Sequence, residues 1–156
     1  YHLTGSHDLE ALRKASSPFV GAHDFRAFAS PDAERTRRHI DAIDVTEAED
    51  GILVDVRAPS FLRGMVRRIV AALLAVEIGD ATVEVLGSAL ATGKGPDFGQ
   101  VPPEALVLMD VDVGFAFRAA VDGATRDRVE RSASDARIAS RFWREALAAA
   151  RGKTPL

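Results

Sequence analysis

Residues 59–70 read Pro-Ser-Phe-Leu-Arg-Gly-Met-Val-Arg-Arg-Ile-Val, an apolar stretch that keeps three arginines. At helical spacing, Phe61, Leu62, Met65, Val66, Ile69, Leu73 and Val76 share one broad apolar face, and Arg63 and Arg67 fall outside it. The side on which Arg67 lies is continued by Val70, Ala71 and Leu74. Arg67 is therefore expected at an edge between water and protein, where a guanidinium requires an anionic or polar partner. That partner is either an acidic residue of the same chain or a functional anion, meaning a catalytic carboxylate or a substrate phosphate. Arg63 and Arg68 read as solvated charges, with phosphate contact as the alternative.

Other reactive residue types form weaker patterns. His2, His7, His23 and His39 lack metal-ligand spacing, and none has an acidic residue four positions on along a helix face, so no metal site is expected. The chain has no cysteine, which excludes disulfides, thiol nucleophiles and thiolate metal sites. Gly-Lys-Gly-Pro-Asp-Phe-Gly (93–99) is not a phosphate loop, because it lacks the Lys-Ser or Lys-Thr ending and opens no helix. Lys94 within it is either a phosphate contact or an ordinary solvated loop lysine. In Gly-Ala-His-Asp-Phe (21–25), His23 reads as a loop-shaping residue and Asp24 as a cap for nearby backbone.

The elements that must position these residues follow from periodicity and punctuation. A helix is expected over Asp8–Val20, capped by Ser6 or Asp8 and ended by Gly21. Residues 23–28 read as an irregular segment and 30–38 as a polar loop carrying Arg35, Arg37 and Arg38. A hairpin follows, His39–Glu47 and Ile52–Ala58, with Asp50-Gly51 as its turn signal. Alternation in its second strand puts Ile52, Val54 and Val56 on one face. It breaks in the first strand at Ala42-Ile43, the mark of a bulge.

Ser60 is expected to cap a long helix to about Ile78, and a shorter helix, about 83–91, starts behind Thr82. A Gly/Pro loop spans 92–104, and Ala105–Phe117 alternates as a strand. Thr125–Arg151 is helix-forming, and acidic residues interleave with its arginines, the pattern of a salt-bridged exposed helix or, alternatively, of an RNA-facing stripe. This is an α+β layout, a mainly antiparallel sheet with helices packed on one face. It divides into an α+β domain over 1–118 and a helical C-terminal extension over 119–156.

The totals agree with one domain and an appendage: 156 residues, 47% hydrophobic, 28% charged and a formal net charge of −3. No uncharged apolar run reaches the length of a membrane span, and no signal peptide is visible. These features fit a cytoplasmic protein. The chain begins at Tyr1 rather than Met, which fits a piece of a longer protein.

Three segments in order, Phe-Val-Gly-Ala-His-Asp-Phe-Arg-Ala-Phe (19–28), residues 59–74, and Val-Pro-Pro-Glu-Ala-Leu-Val-Leu-Met-Asp-Val-Asp-Val (101–113), together resemble the TruA family of tRNA pseudouridine synthases, its archaeal members most of all. The match departs at Ala105, where the family prefers glycine. The resemblance implies the pseudouridine synthase fold, no cofactor, a homodimer with tRNA spanning both subunits, and isomerisation of uridine to pseudouridine in the anticodon arm. It implies that Arg67 pairs with an essential aspartate in a Gly-Arg-Thr-Asp-x-Gly-type motif. It implies an apolar floor for the target base from Leu106 and Leu108, whose other reading is strand core, with Phe61 beside them, and leaves Arg63, Arg68 and Lys94 as tRNA phosphate contacts.

The aspartate motif is absent, and Ala-Thr-Arg-Asp-Arg (124–128) has its letters in the wrong order. The chain thus resembles a C-terminal half whose N-terminal half carries the aspartate, and by itself it is expected to be inactive. The alternative is a non-catalytic RNA-binding or dimerisation module of the same fold.

Overall fold

The structure, a computed structural model, describes residues 1–112 and the single positions 114, 124, 127 and 131. The fold described below is the unit Tyr1–Met109; the second unit, Asp110–Leu156, lies almost wholly outside the described residues, and the expected helical extension lies there with it.

The hairpin forms where its turn signal stands. Strand β4 (Ala42–Ala48) and strand β5 (Gly51–Arg57) pair antiparallel, Ala42 opposite Arg57 and Ala48 opposite Gly51. Strand β1 (His2–Thr4) adds antiparallel to the other edge of β5, giving the order β1-β5-β4. Gly51 is required by this crowding, because a Cβ there would lie 1.9 Å from the Leu3 carbonyl oxygen. Alternation holds as expected: Ile52 and Val54 are buried, Leu53 and Asp55 exposed.

Helix α1 (Leu9–Ser16) is capped by Asp8, whose carboxylate accepts from the Glu10 and Ala11 amides. It ends at Ser16 rather than running to Val20, because Pro18 tightens the chain into a 3-10 turn, Ser17–Phe19. Gly21 then opens strand β2 (Gly21–Asp24), which leads into a second 3-10 turn, Phe25–Phe28. The end of the expected polar loop is also a strand: β3 (Arg37–Ile40) pairs antiparallel with β2. The break in alternation marks not a bulge but the step at Asp41, where the chain leaves the β2-β3 sheet and enters β4.

Helix α2 (Met65–Glu77) starts four residues later than expected, its cap position falling at Gly64 rather than Ser60. The Arg63 carbonyl, which a longer helix would use internally, accepts from the Ser30 amide instead, and Gly64 sits at φ +73°, a left-handed conformation that stops a helix from passing through it. Helix α3 (Val83–Thr92) follows behind Thr82 as expected. Together α1, α2 and α3 bury one core with Phe19, Phe25, Phe28, Ile40, Val45 and Val54. Phe19 meets Phe28 edge-on at 4.9 Å, and Phe98 stacks on Phe28 at 6.0 Å. Arg13 of α1 donates from Nε to the Val45 carbonyl at 3.0 Å, tying the helix to the outer strand.

The strand expected over Ala105–Phe117 does not form across the described residues 105–112. A strand needs a partner edge. Here the His2 amide donates to the Ala105 carbonyl at 3.1 Å, and the Leu106 amide turns back onto the Pro103 carbonyl. Beyond that point Leu106, Val107, Leu108 and Met109 stand exposed. No helix among the described residues is long and apolar enough to cross a membrane.

Candidate active site at the start of helix α2

Arg67 lies in the first turn of α2 and is half-buried. Its Nε donates to the Val101 carbonyl at 2.7 Å, and its own carbonyl accepts from the Val101 amide at 3.3 Å. Arg67 and Val101 thus hold each other by side chain and backbone at once. Among the described residues no carboxylate lies within ion-pairing distance of Arg67. The internal acidic partner that sequence left open is therefore absent from the described residues, among which the two terminal guanidinium nitrogens make no hydrogen bond.

Val101 begins a short strap, residues 101–105, that runs from Arg67 to Leu106. The Tyr1 hydroxyl donates to the Pro102 carbonyl at 2.9 Å. Burial pushes the Tyr1 phenol up from its ordinary pKa, against the opposing pull of the Arg67 charge, so the phenol keeps the proton it donates. Leu106 is 38% exposed and Leu108 75% exposed, so neither is strand core in this unit. Phe61 stands before the helix rather than on it and is 39% exposed.

The other basic candidates differ among themselves. Arg63 is exposed and only brushes Asp32 at 4.0 Å. Arg68 is not the solvated charge expected: its side chain is 14% exposed and its guanidinium bonds Asp97 at 2.8 Å. The Gly99 amide and then Arg68 hold the Asp97 carboxyl below its usual range. Lys94 is exposed after α3, its backbone amide and carbonyl both engaged by the Thr92 hydroxyl. Asp24 behaves as the cap it was read to be, accepting from the Thr36 hydroxyl at 2.5 Å and from the Arg26 amide at 3.1 Å. Among the described residues no cluster of three metal-ligating side chains occurs.

A family model described as tRNA pseudouridine synthase matches residues 15–112, most of the chain and the whole stretch from the end of α1 through Arg67 to Leu106 and Leu108. The chain belongs to the tRNA pseudouridine synthase family. It is 41% identical over 114 residues to tRNA pseudouridine synthase A of Syntrophotalea carbinolica, covering 71% of this chain and 45% of that one. The namesake protein of Methanothrix thermoacetophila is 45% identical over 105 residues, covering 67% of this chain and 39% of that one. That of Thermococcus kodakarensis is 36% identical over 136 residues, covering 84% and 51%. This family member therefore spans about half the length, or less, of the curated relatives it matches.

Sequence reasoning singled out Arg67 and the leucines after the strap, Leu106 and Leu108, but passed over Tyr1 and Val101. Both act through bonds to residues far away in the chain, Tyr1 to Pro102 and Val101 to Arg67, which no local period announces.

Proposed function

We propose that this chain forms the C-terminal half of a tRNA pseudouridine synthase that isomerises uridine to pseudouridine in the anticodon arm. The N1–C1′ bond breaks and a C5–C1′ bond forms, the C5 proton leaving to solvent while N1 gains one. Arg67 pairs with the initiating aspartate of a Gly-Arg-Thr-Asp-x-Gly segment supplied from outside residues 1–156. A guanidinium opposite a partly buried carboxylate keeps it ionised and orients it. Leu106, Leu108 and Phe61 give the flipped-out base apolar walls. Arg63 and Lys94, both exposed, meet tRNA phosphates, whereas Arg68 is turned onto Asp97, and the working assembly is a cytoplasmic homodimer that needs no cofactor.

The observation that carries this reading is the state of Arg67. One nitrogen is fixed on the Val101 carbonyl at 2.7 Å, and no carboxylate partner lies within reach among the described residues. A structural arginine in such a half-buried place would be expected to have its anion beside it.

The test is release of tritium from tRNA labelled at uracil C5. The protein from the full reading frame releases it, and residues 1–156 alone do not. Release by the isolated chain would refute the need for an outside aspartate. No release by the full-length protein, with tRNA binding intact, would favour a non-catalytic module instead.

A further inference from the structure

The strap between Arg67 and Leu106 is held in an unusual way. Pro102 and Pro103 have no N–H, so this stretch is anchored chiefly through its carbonyls. Four of the five carbonyls are taken. Val101 O accepts from Arg67 Nε at 2.7 Å, Pro102 O from the Tyr1 hydroxyl at 2.9 Å, Pro103 O from the Leu106 amide at 3.0 Å, and Ala105 O from the His2 amide at 3.1 Å. Of these donors only Arg67 and Tyr1 use side chains. Tyr1 is itself rigidly placed, because it exchanges two backbone hydrogen bonds with Val54 of β5, each 2.8 Å. An unbroken line of bonds therefore runs from the three-stranded sheet through Tyr1, Pro102 and Val101 to the guanidinium of Arg67.

We infer that Tyr1 is a positioning residue for Arg67: its phenol, fixed on the Pro102 carbonyl, holds the neighbouring Val101 carbonyl where Arg67 Nε can bond it, and so aims the free end of the guanidinium. This rests on the proposed role of Arg67 in catalysis. One bond at Nε fixes the plane of a guanidinium only as well as its acceptor is fixed. Val101 O is a loop carbonyl, and the prolines after it donate nothing that would hold it. A displacement on the order of 1 Å in a catalytic group costs up to about a hundred-fold in rate. Losing one of the strap's anchors should cost less than that, because the Arg67–Val101 backbone bond and the His2–Ala105 bond remain.

The experiment uses Tyr1→Phe, which keeps the ring and both backbone bonds to Val54 and removes only the phenol oxygen. In the 15N-labelled chain, the Arg67 Nε–H resonance is identified by its loss in Arg67→Lys. Its hydrogen exchange should speed by about tenfold in Tyr1→Phe, in line with a weakened single hydrogen bond. The Nε–H of Arg13, bonded to the Val45 carbonyl at 3.0 Å, is the internal control and should not change. In the full-length protein, kcat on tRNA should fall roughly tenfold with KM within about twofold.

Unchanged exchange at Arg67 overturns the inference. So does equal acceleration at Arg13, which would mean general loosening, and so does faster exchange at Arg67 without a fall in kcat. If the full-length wild type converts no uridine, the functional reading fails, and the exchange measurement still decides whether Tyr1 holds the strap.

Discussion

The two ends of helix α2 are built on opposite principles. At the C-terminal end, Glu77 is 12% exposed and fully engaged. It accepts from His7 Nδ1 at 2.9 and 3.2 Å and from the Asp8 amide at 2.6 Å, clamping the start of α1 onto the end of α2. The last carbonyls are closed by the Ile78, Gly79, Asp80 and Ala81 amides. At the N-terminal end no side chain caps the helix, and among the described residues Arg67 holds one backbone acceptor and no anion. Exposed Phe61 and Leu106 belong to the segments that flank it. A buried charge costs free energy unless its partners are present. The closed end meets that condition among the described residues, and the open end does not.

Arg67→Ala in the full-length protein breaks or sharpens this contrast most. The reading requires kcat to fall by about a hundred-fold or more, about 2.7 kcal/mol, since the loss of one preorganised charge contact typically costs that much. Affinity for tRNA should stay within about threefold, and unfolding in urea should show a loss of no more than about 1–3 kcal/mol, the cost of leaving the Val101 carbonyl without its side-chain donor. Turnover near wild type would remove Arg67 from the chemistry and make the open end merely an untidy helix start.

Glu77→Ala is the mirror experiment. It removes the acceptor shared by His7 and Asp8 and leaves the Asp8 amide without its partner. Unfolding in urea should show a loss of about 1–3 kcal/mol, the usual cost of orphaning a partly buried polar group. Turnover by the folded fraction should be unchanged. A fall in kcat comparable to that of Arg67→Ala would show that both ends serve the reaction and would dissolve the distinction.

This contrast was only half legible in the sequence. Helical projection put Arg67 on an edge because Val70, Ala71 and Leu74 lie close to it in sequence, and periodicity reports such neighbours. The hairpin at Asp50-Gly51, the Asp8 cap and the helix behind Thr82 were readable for the same reason, each being decided within a few residues. What escaped depends on distant partners. Strands β2 and β3 exist because Gly21–Asp24 and Arg37–Ile40 find each other, not because either alternates. Helix α2 starts at Met65 because Ser30 claims the Arg63 carbonyl. The stretch after Ala105 alternates convincingly, yet alternation gives only a face to bury and not the edge to pair with. The strap escaped for the same reason, since the Tyr1 phenol reaches a carbonyl 101 positions away.

Asp24 offers the finest test, because it is a third polar centre and should behave like the closed end. Its carboxylate accepts from the Thr36 hydroxyl and the Arg26 amide, and the Thr36 bond is the first cause of a pKa held below the ordinary carboxylate value, ahead of the charges of Arg26 and Arg37. Its sign follows from proton uptake. As pH falls, the unfolded chain protonates this carboxyl first, so the unfolded state binds more protons and stability declines with falling pH. The contribution is complete above the ordinary carboxylate range and is lost as pH drops through the lowered native value. In Thr36→Val the main cause is gone, so the urea midpoint should fall less steeply between about pH 5 and pH 2 than in the wild type. Asp97, held down mainly by the Gly99 amide, should keep its own share of the slope in both proteins. The difference should be the smallest of these effects, because the Asp24 carboxylate lies near solvent, which screens it. Turnover measured near neutrality should not follow it, since at that pH Asp24 is ionised in both proteins; a matching loss of kcat in Thr36→Val would place this centre with Arg67 at the open end rather than with Glu77.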